Sequence, residues 1–283
     1  MNIKFSYKIS LYVVALSLAT SFLGCNLDET QEVATSTNLV WEDNFDEDGA
    51  PDPLKWIYEI GDGSAQGIPG WGNNELQYYT DRSENVSVES GVLKITARQE
   101  SYEGSNYTSA RLITKGLFQK RYGRFEARIK LPTGQGLWPA FWLLGDDSNG
   151  EVWPEIGEID IMEYLGNEPT KVLGTVHGPQ FSGAESISKE LVLENDRFDT
   201  GFHIFGIEWS PNKINFYVDD KLYQTITPEV VDEETDGEGE WVFNDRPFYI
   251  ILNVAVGGNL PGPPNDETMF PQSMYVDYVR VYN

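Results

Sequence analysis

Charged and apolar side chains alternate at every step of Arg124-Phe125-Glu126-Ala127-Arg128-Ile129-Lys130. Successive side chains of a β-strand point to opposite faces, so this alternation predicts a strand with one face in a core and one in water. By contrast, Tyr249-Ile250-Ile251-Leu252-Asn253-Val254-Ala255-Val256 is apolar almost throughout. A strand of that composition is buried on both faces, which predicts a position in the middle of a sheet.

Short β-rich segments recur along residues 39–283, and turn residues separate them. No run of ten or more residues in this range has convincing helical spacing, and the segment 228–240, with seven acids and two glycines, is expected to be a solvated loop. So many strands predict an all-β, two-sheet antiparallel sandwich. The predicted strands are residues 86–88, 92–97, 124–130, 140–144, 157–163, 172–177, 203–209, 213–218, 248–256 and 275–282.

The length and charge of the chain limit its class and its partners. Its 283 residues, 40% of them hydrophobic, suffice for one ordinary domain. The formal net charge is −25. A surface of that charge repels nucleic acid, so we expect no nucleic-acid partner.

Residues 1–24 have the pattern of a bacterial lipoprotein signal peptide. A short basic start is followed by an apolar stretch, residues 11–24, that is too short to span a bilayer. The stretch ends Ser21-Phe22-Leu23-Gly24-Cys25, which resembles a lipoprotein box, although that pattern prefers Leu at the position of Phe22. We expect lipid on Cys25, the only cysteine, and a secreted protein on a bacterial envelope, at the outer membrane. An ordinary cleaved signal is the alternative.

Residues 25–38 are polar and have no periodicity, which predicts a flexible tether. The folded domain is then expected to occupy residues 39–283. In this arrangement the protein touches a membrane only through its lipid anchor.

Three acids lie close together in Gly157-Glu158-Ile159-Asp160-Ile161-Met162-Glu163. In a regular strand Glu158 and Asp160 project to one face, whereas Glu163 projects to the opposite one. A β-bulge at Ile161-Met162 absorbs one residue and brings all three acids to one face, and such bulges are common beside active sites. We therefore predict a bulge here, with Ile159 pointing into the core.

The three acids suit glycosidic bond cleavage. That reaction needs one carboxylate to attack or stabilise the anomeric carbon, and a second, protonated carboxyl to give a proton to the leaving oxygen. A third acid between them can maintain the charge distribution that keeps the other two in different states. Taken alone, the pattern fits equally well the charged outer face of a strand in a very acidic protein.

Tryptophans near the acids favour the first interpretation. Trp153 precedes the cluster by five residues, and Trp138 and Trp142 share one face of the preceding predicted strand. Indole rings beside carboxylates are what a sugar cleft needs, because the apolar face of a pyranose stacks on them. Structural packing is expected instead for four residues without such neighbours: Trp56, Trp209, Trp241 and His203.

Further segments extend the pattern over nearly all of residues 39–283. With the Glu158–Glu163 motif they are Gly70-Trp-Gly-Asn-Asn-Glu-Leu-Gln-Tyr-Tyr79, Tyr122-Gly-Arg-Phe-Glu-Ala-Arg128, Leu137-Trp-Pro-Ala-Phe-Trp142, Thr175-Val-His-Gly178, Phe205-Gly-Ile-Glu-Trp209 and Val276-Asp-Tyr-Val-Arg-Val-Tyr282. Together they resemble the bacterial laminarinases, endo-β-1,3-glucanases of glycoside hydrolase family 16.

This resemblance implies a β-jelly roll with a concave substrate cleft, and retaining endo-hydrolysis of β-1,3-glucosidic bonds by residues 39–283. By the same resemblance Glu158 matches the nucleophile, Glu163 the acid/base and Asp160 the assisting acid. The sequence does not decide between Asn73 and Asn74 as a sugar contact. The predicted substrate-binding residues are Asn73, Asn74, Arg111, Trp138, Trp142, Trp153 and His177.

The resemblance also implies a structural calcium ion away from the acids. The matching positions are Asn44 and Gly91, through backbone oxygens, and Asp277, through its side chain, and oxygen ligands suit this hard cation. No organic cofactor is expected. One departure from the family pattern is Leu260, where relatives commonly place Trp at the cleft edge.

Other functions remain open on the same fold. One is a mixed-linkage β-1,3/1,4-glucanase or another polysaccharide hydrolase of the family, such as one acting on an agar-type galactan. Another is a non-catalytic glycan-binding surface lipoprotein. The presence of all three acids favours catalysis, and the Gly70 to Tyr79 segment favours β-1,3-glucan. We expect a monomer whose partner is a neutral β-glucan.

Overall fold

The computed structural model describes residues 38–283, so the predicted signal peptide, Cys25 and residues 25–37 of the predicted tether lie outside the described residues. No helix within the described range is long and apolar enough to cross a membrane. The strands of residues 38–283 are β1 (Leu39–Asp43), β2 (Ile57–Tyr58), β3 (Gln77–Tyr79), β4 (Val86–Val88), β5 (Leu93–Tyr102), β6 (Ser105–Ser109), β7 (Arg111–Ile113), β8 (Gly123–Lys130), β9 (Leu137–Gly145), β10 (Glu158–Glu163), β11 (Lys171–His177), β12 (Ile187–Val192), β13 (His203–Ser210), β14 (Lys213–Val218), β15 (Lys221–Ile226), β16 (Phe248–Val256) and β17 (Gln272–Tyr282).

The strands form two sheets. The larger, ten-stranded sheet has the order β15-β14-β13-β8-β17-β5-β6-β3, with β1 paired to β17 and β4 paired to β5. The smaller, seven-stranded sheet has the order β12-β11-β10-β9-β16-β7-β2. Among the described strands the pairs are antiparallel, apart from β3 and β6. The predicted all-β, two-sheet antiparallel sandwich is therefore confirmed.

Strand β8 buries its apolar face as predicted, but its charged face is less exposed to solvent than predicted. Phe125, Ala127 and Ile129 are fully buried in the core between the sheets. Arg124 and Glu126, expected in water, are also buried, at 6% exposure each. They compensate each other's charge, because Arg124 Nε donates a 2.8 Å hydrogen bond to Glu126 Oε2.

Strand β16 confirms the prediction of a central apolar strand. All nine of its residues are buried, and it pairs with β9 on one side and β7 on the other. Its neighbour β9 pairs in turn with β10, the strand that carries the three acids. The acids are therefore separated from the central strand β16 by one strand of the same sheet.

Each of the ten segments predicted as strands forms one, whereas seven short or polar strands escaped prediction: β1, β2, β3, β6, β7, β12 and β15. The predicted loop 228–240 is partly wrong, because it begins with an α-helix, α1 (Pro228–Glu234). Thr227 caps this helix by accepting a hydrogen bond from Val230 N, Pro228 suits its first turn, and Val231 is buried against the core. Short 3-10 helices cover Ser64–Gln66, Pro69–Gly72 and Gly183–Glu185.

Candidate active site

The strand that carries the acids contains the predicted bulge. Asp160 lies opposite Trp142 of β9, but Met162 lies opposite Phe141, the very next residue back along β9. Two steps on β10 thus match one step on β9, and Ile161 is the extra residue. The register towards β11 shifts over the same interval.

The bulge places consecutive apolar residues in the core and leaves the acids on the outer face of the smaller sheet. Ile161 and Met162 are 2% and 0% exposed and belong to the hydrophobic core. Asp160 and Glu163 are nearly buried, at 4% and 9% exposure, whereas Glu158 is half-buried. We call this outer surface the acid face. It combines two shielded carboxyls with one that is more open.

His177 belongs to the same cluster. It lies opposite Glu158 in the β10–β11 register, and its Nε2 is 3.2 Å from Asp160 Oδ2. The backbone N–H of Gly183 donates a 3.1 Å hydrogen bond to His177 Nδ1, which leaves the ring proton on Nε2, facing Asp160. The ring of Trp153, which is 44% exposed, lies 6.0 Å from the imidazole.

The cluster binds protons more tightly than its members would in water. Burial, followed by the charges of Glu158 and Glu163, raises the pKa of Asp160 well above its usual range. Burial lowers the pKa of His177, but the bond to Asp160 and the surrounding carboxylates outweigh it and raise that pKa to about 9. The bond from Gly183 opposes this rise, because a second ring proton would displace it.

Glu163 is the carboxyl with the most defined hydrogen bonding. Trp138 Nε1 donates to its Oε1 at 3.1 Å, and Thr175 Oγ1 donates to its Oε2 at 2.9 Å. Burial raises the pKa of Glu163, and the charge of Glu158 adds to the rise, whereas the bond from Thr175 opposes it. A carboxyl whose pKa is raised keeps its proton to higher pH, which suits it to general acid catalysis.

The predicted tryptophans lie on the acid face. Trp138 and Trp142 are both half-buried on β9, and Trp142 Nε1 donates a 2.7 Å hydrogen bond to Asn253 Oδ1. Asn253 Nδ2 donates in turn to the hydroxyl of Tyr79 at 3.1 Å. This chain of bonds fixes the plane of the Trp142 ring. No sequence motif pointed to Asn253, which lies in an otherwise apolar strand.

An apolar patch extends the acid face beyond Trp142. It consists of Ile113, Tyr249 and Ile251, against which Trp142 and Leu144 pack. Tyr249 and Ile251 are buried, as predicted for a central strand. They belong to a small cluster on the outer side of the sheet, beneath Trp142 and Leu144, rather than to the core between the sheets.

Arg111 supports Trp142, although the sequence predicted it to contact sugar. The guanidinium lies 4.5 Å from the centre of the Trp71 ring and 4.8 Å from that of the Trp142 ring. Its Nε donates to Glu59 Oε2 at 2.5 Å, and the residue is only 8% exposed. Arg111 therefore holds two indole rings in place and leaves little surface for a ligand.

The segment that contains Asn73 and Asn74 is attached to the end of β16. Asn73 O accepts a hydrogen bond from Asn259 N at 2.8 Å, and Asn74 Nδ2 donates to Asn259 Oδ1 at 2.7 Å. A Cβ on Gly258 would lie 3.2 Å from the Trp138 ring and 3.3 Å from Asn73 O. Asn73 thus lies beside Trp138, next to the acids, whereas Asn74 is exposed and tied to the neighbouring turn.

Glu75 is a further acid near this face that the sequence left without a function. Gln77 Nε2 donates to its Oε2 at 2.6 Å, and the Tyr79 hydroxyl donates at 3.2 Å. Burial raises the pKa of Glu75, and the charge of Arg111 opposes the rise. Its place within the Gly70 to Tyr79 segment was the available signal.

The residues outside the acid face are placed as follows. Trp56 and Trp209 are buried in the core, Trp241 packs against it, and His203 is buried with its Nδ1 2.7 Å from Asp219 Oδ2, as expected for structural residues. Leu260 is 44% exposed.

The predicted calcium residues meet at one part of the larger sheet. Asp277 lies on β17, to which β1 and β5 both pair, and Asn44 and Gly91 lie just outside the ends of β1 and β5. Arg128 Nη1 donates to Asp277 Oδ2 at 2.7 Å, and Arg280 Nη2 donates to Asn44 Oδ1 at 2.9 Å. The donor set of carboxylate and backbone oxygens suits calcium, with Arg128 as a competitor for Asp277.

Known proteins similar to this chain share its fold and much of its sequence. A β-glucanase of Rhodothermus marinus is 43% identical over 287 residues, an alignment that covers 100% of this chain and 96% of the relative. The laminarinase catalytic domain of Thermotoga maritima MSB8 is 51% identical, with a TM-score of 0.81 over 87% of this chain and 97% of that one. The endo-β-1,3-glucanase of Pyrococcus furiosus is 49% identical, with a TM-score of 0.81 over 87% of this chain and 94% of that one.

The model of one protein family, described as glycosyl hydrolases family 16, matches residues 73–280. This range includes the bulged strand, its three acids and His177, together with Trp138 and Trp142. The two-sheet architecture agrees with the solved laminarinase structures. The chain therefore belongs to glycosyl hydrolases family 16.

Proposed function

We propose that this protein hydrolyses internal β-1,3-glucosidic bonds of laminarin-type β-glucans with retention of anomeric configuration. The observation that carries the proposal is the bulge in β10, which puts Glu158, Asp160 and Glu163 on one face while Glu163 is shielded and hydrogen-bonded. The choice of β-1,3-glucan rests on the similar proteins named as laminarinases and endo-β-1,3-glucanases.

In the first step of the proposed reaction Glu163 gives its proton to the glycosidic oxygen. Glu158, the more open carboxylate, attacks the anomeric carbon, and the bond to the leaving sugar breaks. The product of this step is an α-linked glucosyl ester on Glu158. The raised pKa of Glu163 supports its assignment as the acid, because it must be protonated when substrate binds.

In the second step Glu163, now ionised, takes a proton from water, which attacks the anomeric carbon and releases Glu158. Two inversions return the β-configuration. Asp160 Oδ2 and His177 Nε2 lie 3.2 Å apart beside Glu158, and the pKa values of both groups are raised, so this pair can adjust to the change in negative charge as the ester forms and breaks. No residue from outside the acid face is needed for either step.

Substrate binding is proposed to use the tryptophans. Trp138 and Trp142 present ring surface beside the acids, and the buried residues Ile113, Tyr249 and Ile251 support the Trp142 ring from below. Sugar rings stack on such surfaces without need of charge, which suits a neutral glucan. Asn73, beside Trp138, is the amide better placed for a sugar hydroxyl.

The proposal is tested by incubating the protein with laminarin, lichenan, agarose and carrageenan, and following sugar release and product anomers by proton NMR. We expect rapid release of β-anomers from laminarin. Greater activity on lichenan would indicate a mixed-linkage glucanase, and release only from agarose or carrageenan would indicate a galactan hydrolase. Binding without hydrolysis of any polymer would indicate a glycan-binding protein. Initial release of the α-anomer would refute the assignment of Glu158 as nucleophile.

We further propose that Cys25 carries lipid and anchors the protein in a bacterial outer membrane. Support comes from the basic start, the short apolar stretch and the single cysteine at its end. Residues 25–38 then separate the anchor from the folded domain.

A structural calcium ion is proposed to bind through Asp277 and the backbone oxygens of Asn44 and Gly91. The convergence of β1, β5 and β17 supports this, since it brings the three positions to one part of the sheet. The Asn44 side chain already bonds Arg280, which leaves its backbone oxygen for the ion. Calcium would supply cross-linking of strands there and take no part in catalysis.

A further inference from the structure

A cavity of about 420 Å³ opens on the outer face of the larger sheet, where β4, β5, β17 and β8 lie side by side. The alternate residues of these strands point inward to the core, so this face lies on the other side of the sandwich from the acid face. We call it the basic cavity. Its distinctive lining residues are Lys94, Arg98, Lys130, Thr96, Ser273 and Tyr275.

The centre of the basic cavity is a row of three residues across three strands. Tyr275 of β17 pairs with Lys94 of β5 on one side and with Lys130 of β8 on the other. Neighbouring strands lie about 4.8 Å apart, so the two lysine Cα atoms are roughly 10 Å apart with the phenol ring between them. A second row, Thr96 and Ser273, lies beside it with the two hydroxyl oxygens 2.9 Å apart.

The cations of the basic cavity are only loosely paired, because the acids near them lie beyond hydrogen-bond distance. Lys130 forms no ion pair within 4.0 Å among residues 38–283, and the Lys94 ammonium is 3.9 Å from Glu89 Oε2. Arg98 Nε is buried, lies 3.7 Å from Glu100 Oε1, and has no hydrogen-bond partner in the described part of the chain. An anionic ligand would supply the acceptors that Lys94 and Lys130 lack at hydrogen-bond distance.

Two acids also line the basic cavity, Glu84 and Asp199. Asp199 is already neutralised, because Arg197 donates to both its oxygens at 2.8 and 2.7 Å, and these bonds lower the pKa of Asp199. With three basic residues, Lys94, Arg98 and Lys130, against these two acids, the lining carries one net positive charge in a chain whose net charge is −25. The basic cavity is thus a locally basic region of a strongly acidic protein.

We propose that the basic cavity is a second, non-catalytic binding site for an acidic glycan. One sugar ring packs on Tyr275, its carboxylate lies between Lys94 and Lys130, and its hydroxyls bond Thr96 and Ser273. The aromatic ring and the hydroxyl row distinguish a sugar from a simple anion. The net charge of −25 disfavours the more densely charged sulfated polymers, so the ligand is a uronate chain with one carboxylate per sugar.

The test is isothermal titration calorimetry of the full chain with tetragalacturonate, alongside maltotetraose as a neutral tetrasaccharide and inorganic sulfate as a simple anion. We expect binding of tetragalacturonate alone, weakened by added salt. The double variant Lys94→Gln/Lys130→Gln should bind on the order of 2- to 30-fold more weakly. Tyr275→Ala should lose about 2- to 10-fold.

Control variants separate this site from the acid face and from general charge effects. Lys221→Gln removes an exposed lysine from the same sheet and should bind tetragalacturonate normally, as should Glu158→Gln. The double lysine variant should hydrolyse laminarin at the unaltered rate. Absence of binding by the unmodified protein, equal binding of sulfate, undiminished binding by the double variant, or loss of binding in Glu158→Gln would each overturn the proposal.

Discussion

The hydroxyl of Thr175 is expected to influence the pH at which Glu163 loses its proton, and with it the alkaline limb of the activity profile. Its 2.9 Å bond to Glu163 Oε2 stabilises the ionised carboxylate and therefore lowers the pKa of Glu163. Thr175→Val keeps the shape of this buried side chain and removes the donor. The pKa of Glu163 should then rise, so that Glu163 stays protonated to higher pH and the alkaline limb of the kcat/KM profile on laminarin moves upward.

The size of this shift follows from the bond that is lost. A hydrogen bond to a charged group contributes about 1.5–3 kcal/mol, and 1.36 kcal/mol corresponds to about one pKa unit. Trp138 still donates to the other oxygen of Glu163, so the lower end of that range applies and the limb should move by about one pH unit.

The assay is reducing-sugar release from laminarin across a pH series, with the melting temperature of each variant as a check on folding. Ser188→Ala is the matched control, because Ser188 Oγ lies 3.0 Å from Thr175 Oγ1 but does not touch Glu163. It should leave the profile in place. An unmoved or lowered alkaline limb in folded Thr175→Val would refute Glu163 as the acid or Thr175 as its donor.

Four further outcomes are expected. Glu158→Gln should abolish laminarin turnover yet retain binding in calorimetry, since the amide is nearly isosteric, and lost binding would contradict this. Glu163→Gln should spare the first step on a dinitrophenyl glucoside, whose leaving group needs no proton, so equal losses on this substrate and laminarin would argue against an acid. Calcium removal with a chelator should lower Tm but leave low-temperature turnover unchanged; inactive, still-folded protein would disprove a purely structural ion. Mass spectrometry of membranes from the native host should find lipid on Cys25, and a mature chain starting elsewhere would exclude the anchor.

The β-sandwich and the acid cluster could be predicted because both depend on local periodicity. The odd spacing of Glu158 and Glu163 required a bulge if the acids were to meet, and the structure has it at that place. Helix α1 was missed because its acidic composition concealed the Thr227 cap and the single buried contact of Val231.

Contacts between residues that are distant in the sequence could not be predicted from it. Arg124 is buried because, besides its neighbour Glu126, it donates a hydrogen bond to Asp220 at 2.8 Å on a distant turn. Arg111 was assigned to sugar, yet Glu59 and two indole rings occupy its surface. Such contacts link residues far apart in the chain and leave no mark on local patterns.

The bulge in β10 makes the spacing of the acids a matter of parity. Glu163 is five residues after Glu158, and in a regular strand residues an odd number apart point to opposite faces. The two acids share a face only if a bulge absorbs one residue between them. The bulge lies at Ile161 and Met162, and the side chains of both residues are buried in the core. A polar substitution at either position would favour a regular strand without the bulge, in which the Glu163 side chain points inward. The alignment of the carboxyls is thus encoded in two hydrophobic residues that never meet a ligand.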